Sequence, residues 1–462
     1  MNLRRVAILW CVCMALASGA YAQRSENADR DDSFYPDFRS DEDMRAQRFT
    51  REPFSISYGG WLMPMVIDER RNDQVLTTSV NTAKLWIKST LWGKSYVYVR
   101  GKDQYYHILK HDGIGIREAG GSDGIKLNEN KVDLDVGYLA VSTDDNMLQV
   151  YAGRKFFILG SGLALNGRGD GIQVDLNTSV ADVRVFGMYT GLLQKDFNPY
   201  GLSDEDIAVG ARRYFAGSMV QRTLWNQTLY LFAMAQLDNG RQQFIRSRYN
   251  SQYYGIGLKG VITDSVEYFG EFVYESGESY LKGKNEKRNV NAAAAQAGVN
   301  WYLPLPLEPV FMVQYAYGSG DEDRYDCASP TANQAGEDNG FIYFGTFLGG
   351  YALRPLLSNL HIARGGFSLS PFSWSESRFL RRMNVTAKYS YYMKDKPKGV
   401  INYNEAPLEE TEVGHGADAS FRWRIFYDLS IFVNYAMFFP GKAYVEGEKN
   451  RQFIQGGCNF IF

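Results

Sequence analysis

The chain has no long apolar run after its first residues, and it is poor in cysteine, proline and histidine. Its 462 residues include 4 Cys, 13 Pro and 4 His. Without such a run there are no membrane-spanning helices, which need about 20 consecutive apolar residues. The formal charge of −2 lacks the basic excess of a nucleic-acid binder. Histidine offers little to catalysis. His107 and His111 stand four apart without an HExxH pattern, and His361 and His415 are isolated. Gly167-Arg168-Gly169-Asp170-Gly171 resembles a phosphate loop but lacks the following Lys-Ser/Thr and the helix. An enzyme would need a Ser/His or carboxylate pair converging near one rim, and the sequence assigns none. The expectation is no enzyme and no cofactor.

Aromatics are abundant, with 32 Tyr and 28 Phe beside 46 Gly. Such a Tyr- and Gly-rich, moderately polar chain without helical periodicity points to β structure with two chemically different faces. Residues 1–22 read as a signal peptide. Arg4 and Arg5 precede the apolar stretch Val6 to Ala17, and Ala20-Tyr21-Ala22 offers a cleavage site before Gln23. Cys13 follows Trp10-Cys11-Val12, the wrong context for lipidation. Residues 23–52, rich in Asp, Arg and Ser, read as a mobile periplasmic segment. The barrel is expected over 53–462. Cys327 and Cys458 fall on opposite sides of the membrane in this reading, so no disulfide joins them.

From Phe54 onward the chain breaks into alternating stretches of about ten residues, the length of a tilted strand crossing a bilayer. Val97, Val99 and Gly101 alternate with Tyr96, Tyr98, Arg100 and Lys102. Tyr254, Ile256 and Leu258 alternate with Tyr253, Gly255, Gly257 and Lys259. A soluble sandwich shares this period of two, but the connections separate the two folds. About eighteen strands are predicted, with ends near 54–63, 80–92 and 95–106 and so on to 451–462. Every second connection is then short: 93–94, 142–146, 177–179, 217–225, 263–265, 304–307, 372–378 and 423–425. The others, such as 107–129, 192–205, 319–358 and 394–410, are mostly long and polar. Short periplasmic turns against long extracellular loops mark a transmembrane antiparallel up-and-down β-barrel of the bacterial outer membrane. Lipid and lipopolysaccharide are its expected surroundings. Trp92, Trp225, Trp301, Trp374 and Trp423 lie in or beside the short turns, as an interfacial girdle requires. Phe462 ends an alternating last strand and looks like the signal read by the barrel-assembly machinery.

The inward parity carries the chemistry. It holds Lys84, Lys88, Arg100, Lys102, Arg184, Lys259, Arg382, Lys388 and Arg422, with Asp133, Asp135, Asp182, Glu267, Glu271, Glu275 and Asp418. Arg or Lys facing lipid at the midplane costs about 2–4 kcal/mol, so this parity argues for a wet interior. Rings of mixed charge set ion selectivity, or else merely solvate the wall and pair with each other. Arg154 and Lys155 are adjacent, and parity from Leu148, Val150 and Ala152 turns Lys155 inward. Asp321-Glu322-Asp323 lacks the spaced ligands of a calcium loop, which leaves Asp321 and Asp323 as weak metal candidates.

Three segments resemble the alginate-export family of outer-membrane porins. Gly153-Arg154-Lys155, Gly160, Arg168, Asp170 and Gly171 are similar to its G-R-Q and R-x-x-D-G-like elements, with Lys155 in place of Gln and an altered Arg-to-Asp spacing. Tyr315-Ala316-Tyr317-Gly318-Ser319-Gly320-Asp321 resembles its Y-A-S-G-D strand end, followed by Asn359-Leu360 and Pro371. Val413-Gly414 to Asp418, then Phe438-Phe439-Pro440-Gly441, resembles its penultimate hairpin, although His415 and Gly416 stand where a Glu is usual. The resemblance runs from about residue 147 to the end. It implies a barrel of about eighteen strands whose basic lumen passes an anionic polysaccharide. The row Glu267, Glu271 and Glu275 sets an opposing charge against a polyuronate. The expected function is therefore a porin passing hydrophilic solutes, anionic saccharides among them, along Arg100, Arg154, Arg184, Lys259 and Lys388. The alternative is a non-conducting surface protein or adhesin that binds through its long loops.

Overall fold

The computed structural model describes residues 47–51 and 54–462, apart from 114–115, 118–124, 127, 191, 193–210, 240–247, 282–285, 328, 330–331 and 403–404. The expected signal peptide and most of the expected periplasmic segment lie outside the described residues. Eighteen strands form the barrel: β1 (Phe54–Arg71), β2 (Gln74–Thr90), β3 (Tyr96–Asp112), β4 (Asn128–Ser142), β5 (Leu148–Leu159), β6 (Leu165–Asn177), β7 (Asp182–Tyr189), β8 (Arg213–Leu224), β9 (Gln227–Asp238), β10 (Asn250–Thr263), β11 (Val266–Tyr280), β12 (Lys287–Tyr302), β13 (Val310–Gly318), β14 (Leu360–Leu369), β15 (Met383–Lys394), β16 (Glu412–Arg424), β17 (Leu429–Pro440) and β18 (Arg451–Ile461). Each is antiparallel to its neighbours, and β1 closes on β18, with Trp61 opposite Ile461 and Arg70 opposite Gln452. Closure leaves no ladder edge, the condition for strands in hydrocarbon. Pro64 has no N–H to give, and the β1–β18 ladder skips Met63 and Pro64. Phe462 finishes the seam by exchanging backbone bonds with Gly60 at 2.9 and 3.0 Å. Residues 47–51, expected in the mobile segment, form a short strand paired with Phe54 to Tyr58.

The two faces follow the predicted parity. On β10, Tyr254, Ile256 and Leu258 are 40–48% exposed, whereas Ser251 and Tyr253 are at most 1% exposed. Trp92, Trp225, Trp301 and Trp374 are exposed at the short-turn rim, while Trp61 and Trp86 are buried against Tyr98 and Tyr138 inside the barrel. Cys327 and Cys458 are free.

Three boundaries differ from expectation. The loop expected at 64–79 is absent, because β1 and β2 run on to a turn at Asn72-Asp73, where Asn72 takes φ +53. Asn in a left-handed conformation suits a tight hairpin, and the paired strands extend beyond the hydrocarbon. The turn expected at 217–225 shrinks to Trp225-Asn226, with φ +49 and +62. The connection between β5 and β6 is the short Gly160 to Ala164, although it stands at the long-loop rim.

Candidate functional site in the lumen

One arc of the wall is basic. Lys84 on β2, Arg100 on β3 and Arg168 on β6 converge on Asp135 of β4. Arg100 Nε lies 2.6 Å from Asp135 Oδ2, Lys84 Nζ 3.5 Å from the same oxygen, and Arg168 Nη1 2.6 Å from Oδ1. Arg168 also reaches Asp133 at 2.9 Å. The β3–β4 register slips at Arg100/Gly101, and the irregularity brings Asp135 to this cluster. Trp61 supports it from below, with Lys84 and Arg100 4.9 and 5.2 Å from its ring. Next along the arc, Arg154 Nη1 meets Asp170 Oδ2 at 2.9 Å, and Lys155 Nζ donates to Gln173 Oε1 at 2.9 Å over the Tyr151 ring. Arg184 on β7 pairs with Asp175 at 2.9 Å. Cations outnumber carboxylates along this arc.

Arg154 corrects the parity reading. It is 2% exposed, deeper than Lys155, and both side chains find polar partners on β6. Gly153 makes this possible with φ +132, and a Cβ there would sit 2.4 Å from the Gly137 oxygen. Only glycine fits that backbone.

The opposite arc is filled rather than open. Glu275 on β11 is 0% exposed, which an open aqueous lumen does not allow. The connection 319–359 folds inward to cover it. Glu275 accepts from Ile342 N at 2.9 Å, Tyr249 OH at 2.6 Å and Tyr253 OH at 2.8 Å, and Tyr253 OH also approaches the Ile342 oxygen at 2.8 Å. Glu271 holds the β5–β6 connection in the same manner. It accepts from Ser161 N at 2.6 Å, Ser161 Oγ at 2.5 Å and Tyr230 OH at 2.8 Å. The two inward segments then bond to each other. Phe344 N donates to Ala164 O at 3.0 Å, Asn166 N to Phe344 O at 3.2 Å, and Thr346 N to Gly162 O at 3.0 Å. Gly345 permits this approach, since a Cβ there would lie 2.0 Å from the Gly162 and Leu163 oxygens. Further along, Tyr351 N donates to Asp418 at 3.3 Å, and Tyr392 OH to Gly349 O at 2.7 Å.

Arg100, Lys102, Arg154, Lys155, Arg168 and Asp170 thus lie on neighbouring strands of one arc, with Arg184 beside them. Glu271 and Asp418 bind the inward segments. Lys388 is on another arc, opposite Asp418 in the β15–β16 ladder, and Lys259 is exposed near the short-turn rim. Asp321 accepts backbone N–H bonds from Asp323 and Asn339 on its two oxygens, both at 2.8 Å, and so works within its own loop. Among the described residues no group of three His, Cys, Asp or Glu could hold a metal ion. Sequence reasoning missed the inward fold of 319–358, yet a signal was present. Phe341-Ile342-Tyr343-Phe344-Gly345-Thr346-Phe347-Leu348 is too apolar for a solvated loop. Phe341 and Phe344 are fully buried.

A family model described as alginate export matches residues 209–453. Similar solved structures include Acinetobacter baumannii OccAB1, with TM-score 0.57 and 10% identity over 90% of this chain and 98% of that one. Pseudomonas aeruginosa OpdK, solved with vanillate, has TM-score 0.55 and 10% identity over 88% and 98%. The P. aeruginosa outer membrane protein OprD has TM-score 0.52 and 12% identity over 88% and 94%. At these identities the likeness shows the fold alone. No curated protein matches the chain.

Proposed function

Because the chain belongs to the alginate-export family and has the fold of an outer-membrane porin, we propose that it passes small hydrophilic solutes by passive diffusion, anionic saccharides among them. The observation that carries this reading is the difference between the two arcs. Lys84, Arg100 and Arg168 share Asp135 and Asp133 within the wall, three cations to two carboxylates, and Arg184 beside them keeps a third of its side chain exposed. Glu271 and Glu275 are turned to loop backbone and tyrosine hydroxyls, so they do not oppose a carboxylate. A basic surface beside a narrowed passage attracts anions and sets selectivity. The bound vanillate of the P. aeruginosa neighbour, itself a small carboxylate, agrees with such a path. Arg100, Lys102, Arg154, Lys155, Arg168 and Arg184 form the proposed path, with Lys259 and Lys388 at its margins. Phe462 is the proposed contact for the assembly machinery.

Reversal potentials across a salt gradient test the reading. The purified barrel should prefer anions, and Arg168→Ala and Arg184→Ala should each move the potential toward cations. Unchanged selectivity in Arg184→Ala takes that residue off the path. A barrel that carries no salt current removes the porin reading and leaves the adhesin.

A further inference from the structure

Inside the long-loop mouth, at the seam where β1 closes on β18, lies a pocket of about 310 Å³ away from the basic arc. Glu69 and Arg71 come from β1, Arg451 and Phe453 from β18, Glu405 from the 395–411 connection, and Arg354 from the inward 319–359 connection. Charges of both signs line it, and Arg70, which also lines it, is paired with Asp68 at 2.8 Å. Arg354 Nη2 lies 2.5 Å from Glu69, Arg71 Nη1 3.2 Å from Glu405, and Arg451 Nη2 2.6 Å from Glu405. The side chains of Glu69, Arg71 and Arg354 remain 35, 46 and 52% exposed, so their outer edges stay free for a ligand. Two further features mark the place. Arg354 holds φ +48 in a non-glycine residue, with its guanidinium fixed over the Phe453 ring at 5.1 Å. Such backbone strain gathers at ligand clamps. Arg451 Nε is a buried donor with no acceptor.

We infer that this pocket binds a neutral, hydroxyl-rich ring of the hexose class as it enters or leaves the mouth. The inference deepens the pore reading and rests on it for the pocket's place along a solute route. The lining decides the ligand class. A small inorganic anion would meet Glu69 and Glu405 as well as the arginines, and gains little. A sugar hydroxyl both donates and accepts, so one ring satisfies carboxylate and guanidinium edges together. Asn402 and Gln452 also line the pocket, and their amides do the same. The volume admits about one hexose unit with its waters. Because Arg354 belongs to the inward connection and Glu69 to the wall, a bound ring bridges the two.

Calorimetric titration of the detergent-solubilised protein with maltotriose tests the inference without calling on conductance. Arg354→Asn keeps a residue that tolerates positive φ, and Glu69→Gln changes one atom. Unboiled electrophoretic migration reports folding of each barrel. Wild type should bind, and each variant should bind roughly tenfold more weakly, the loss of one charge-assisted hydrogen bond. No heat of binding in wild type, or variants that bind as wild type does, overturns the inference. So does displacement of the sugar by inorganic phosphate, which would make the pocket an anion site. Retained binding in a barrel without salt current would fault the pore reading and not this one.

Discussion

Glu275→Ala should loosen the inward 319–359 connection without unfolding the barrel. Three donors reach the Glu275 carboxylate, but only the Ile342 N–H at 2.9 Å joins wall to loop directly. Leaving the buried Ile342 N–H without its acceptor costs about 1–3 kcal/mol, which is roughly five- to hundredfold in the ratio of docked to undocked loop. The docked state keeps other support. Phe341 and Phe344 are fully buried, and full burial of such a side chain is worth about 1.5–3 kcal/mol each. The backbone bonds from Phe344 and Thr346 to the β5–β6 connection also remain. The loop should therefore sample undocked states rather than leave. In single-channel records this means more open-channel noise and brief steps to higher conductance. Glu275→Gln keeps one carbonyl acceptor and should fall between wild type and alanine. Records for Glu275→Ala with the noise and conductance of wild type would refute the claim that this carboxylate pins the loop.

Two other outcomes follow from the same structure. Gly153→Ala should lower the temperature at which the barrel loses its compact migration on unboiled gels, because the added Cβ meets the Gly137 oxygen at 2.4 Å and the backbone keeps φ +132. An unshifted transition would mean that β4 and β5 separate without cost. At the long-loop end of the seam, burial alone would raise the Glu405 carboxyl, but hydrogen bonds from Arg451 and Tyr444 and the charges of Arg451 and Arg71 outweigh it and hold the group below the ordinary value of 4.5. A lowered folded-state value stabilises above the unfolded value and is lost as the pH falls through the folded one. Hydrogen exchange in 395–411, corrected for the intrinsic rate, should stay slow down to about pH 4.5 and quicken only below it. Exchange that quickens between pH 7 and 5 would contradict the assignment.

The barrel was legible because each strand carries its own evidence. On β10 and β15 a period of two separates Tyr254, Ile256 and Tyr389 from Tyr253, Thr386 and Ser390, and lipid demands that separation strand by strand. Counting the alternating stretches gave about eighteen strands, and the parity of loop length then marked them as a barrel rather than a sandwich. Boundaries were less legible. At Asn72-Asp73 the ladder continues past the bilayer, where apolar and polar residues no longer sort by face. The pair Arg154 and Lys155 defeated parity because one glycine with positive φ changes how the next two side chains are aimed. The basic arc was legible residue by residue but not as a cluster. Nothing in local spacing says that Arg168 on β6 reaches back to Asp135 on β4.

The carboxylates show why charge counted by parity misjudges a lumen. Parity makes Glu271 and Glu275 equal to Lys84 and Arg100, as inward charges that a solute meets. All four are buried, and their partners separate them: Lys84 and Arg100 pair with Asp135 of the wall, whereas Glu271 and Glu275 take donors from inward segments. Glu275 lies under a loop, and its oxygens are occupied by one backbone N–H and two phenols. What a solute meets there is loop surface. The inward loop in turn needs those carboxylates, because backbone N–H groups carried into a barrel lose water and require acceptors. The aromatic run 341–348 and the acidic row on β11 are thus two halves of one arrangement. Apolar side chains draw the loop inward, and the carboxylates satisfy the donors it brings. In the basic arc cations outnumber carboxylates, and Arg184 keeps a third of its side chain exposed. An anion-favouring passage can therefore arise in a chain whose formal charge is −2.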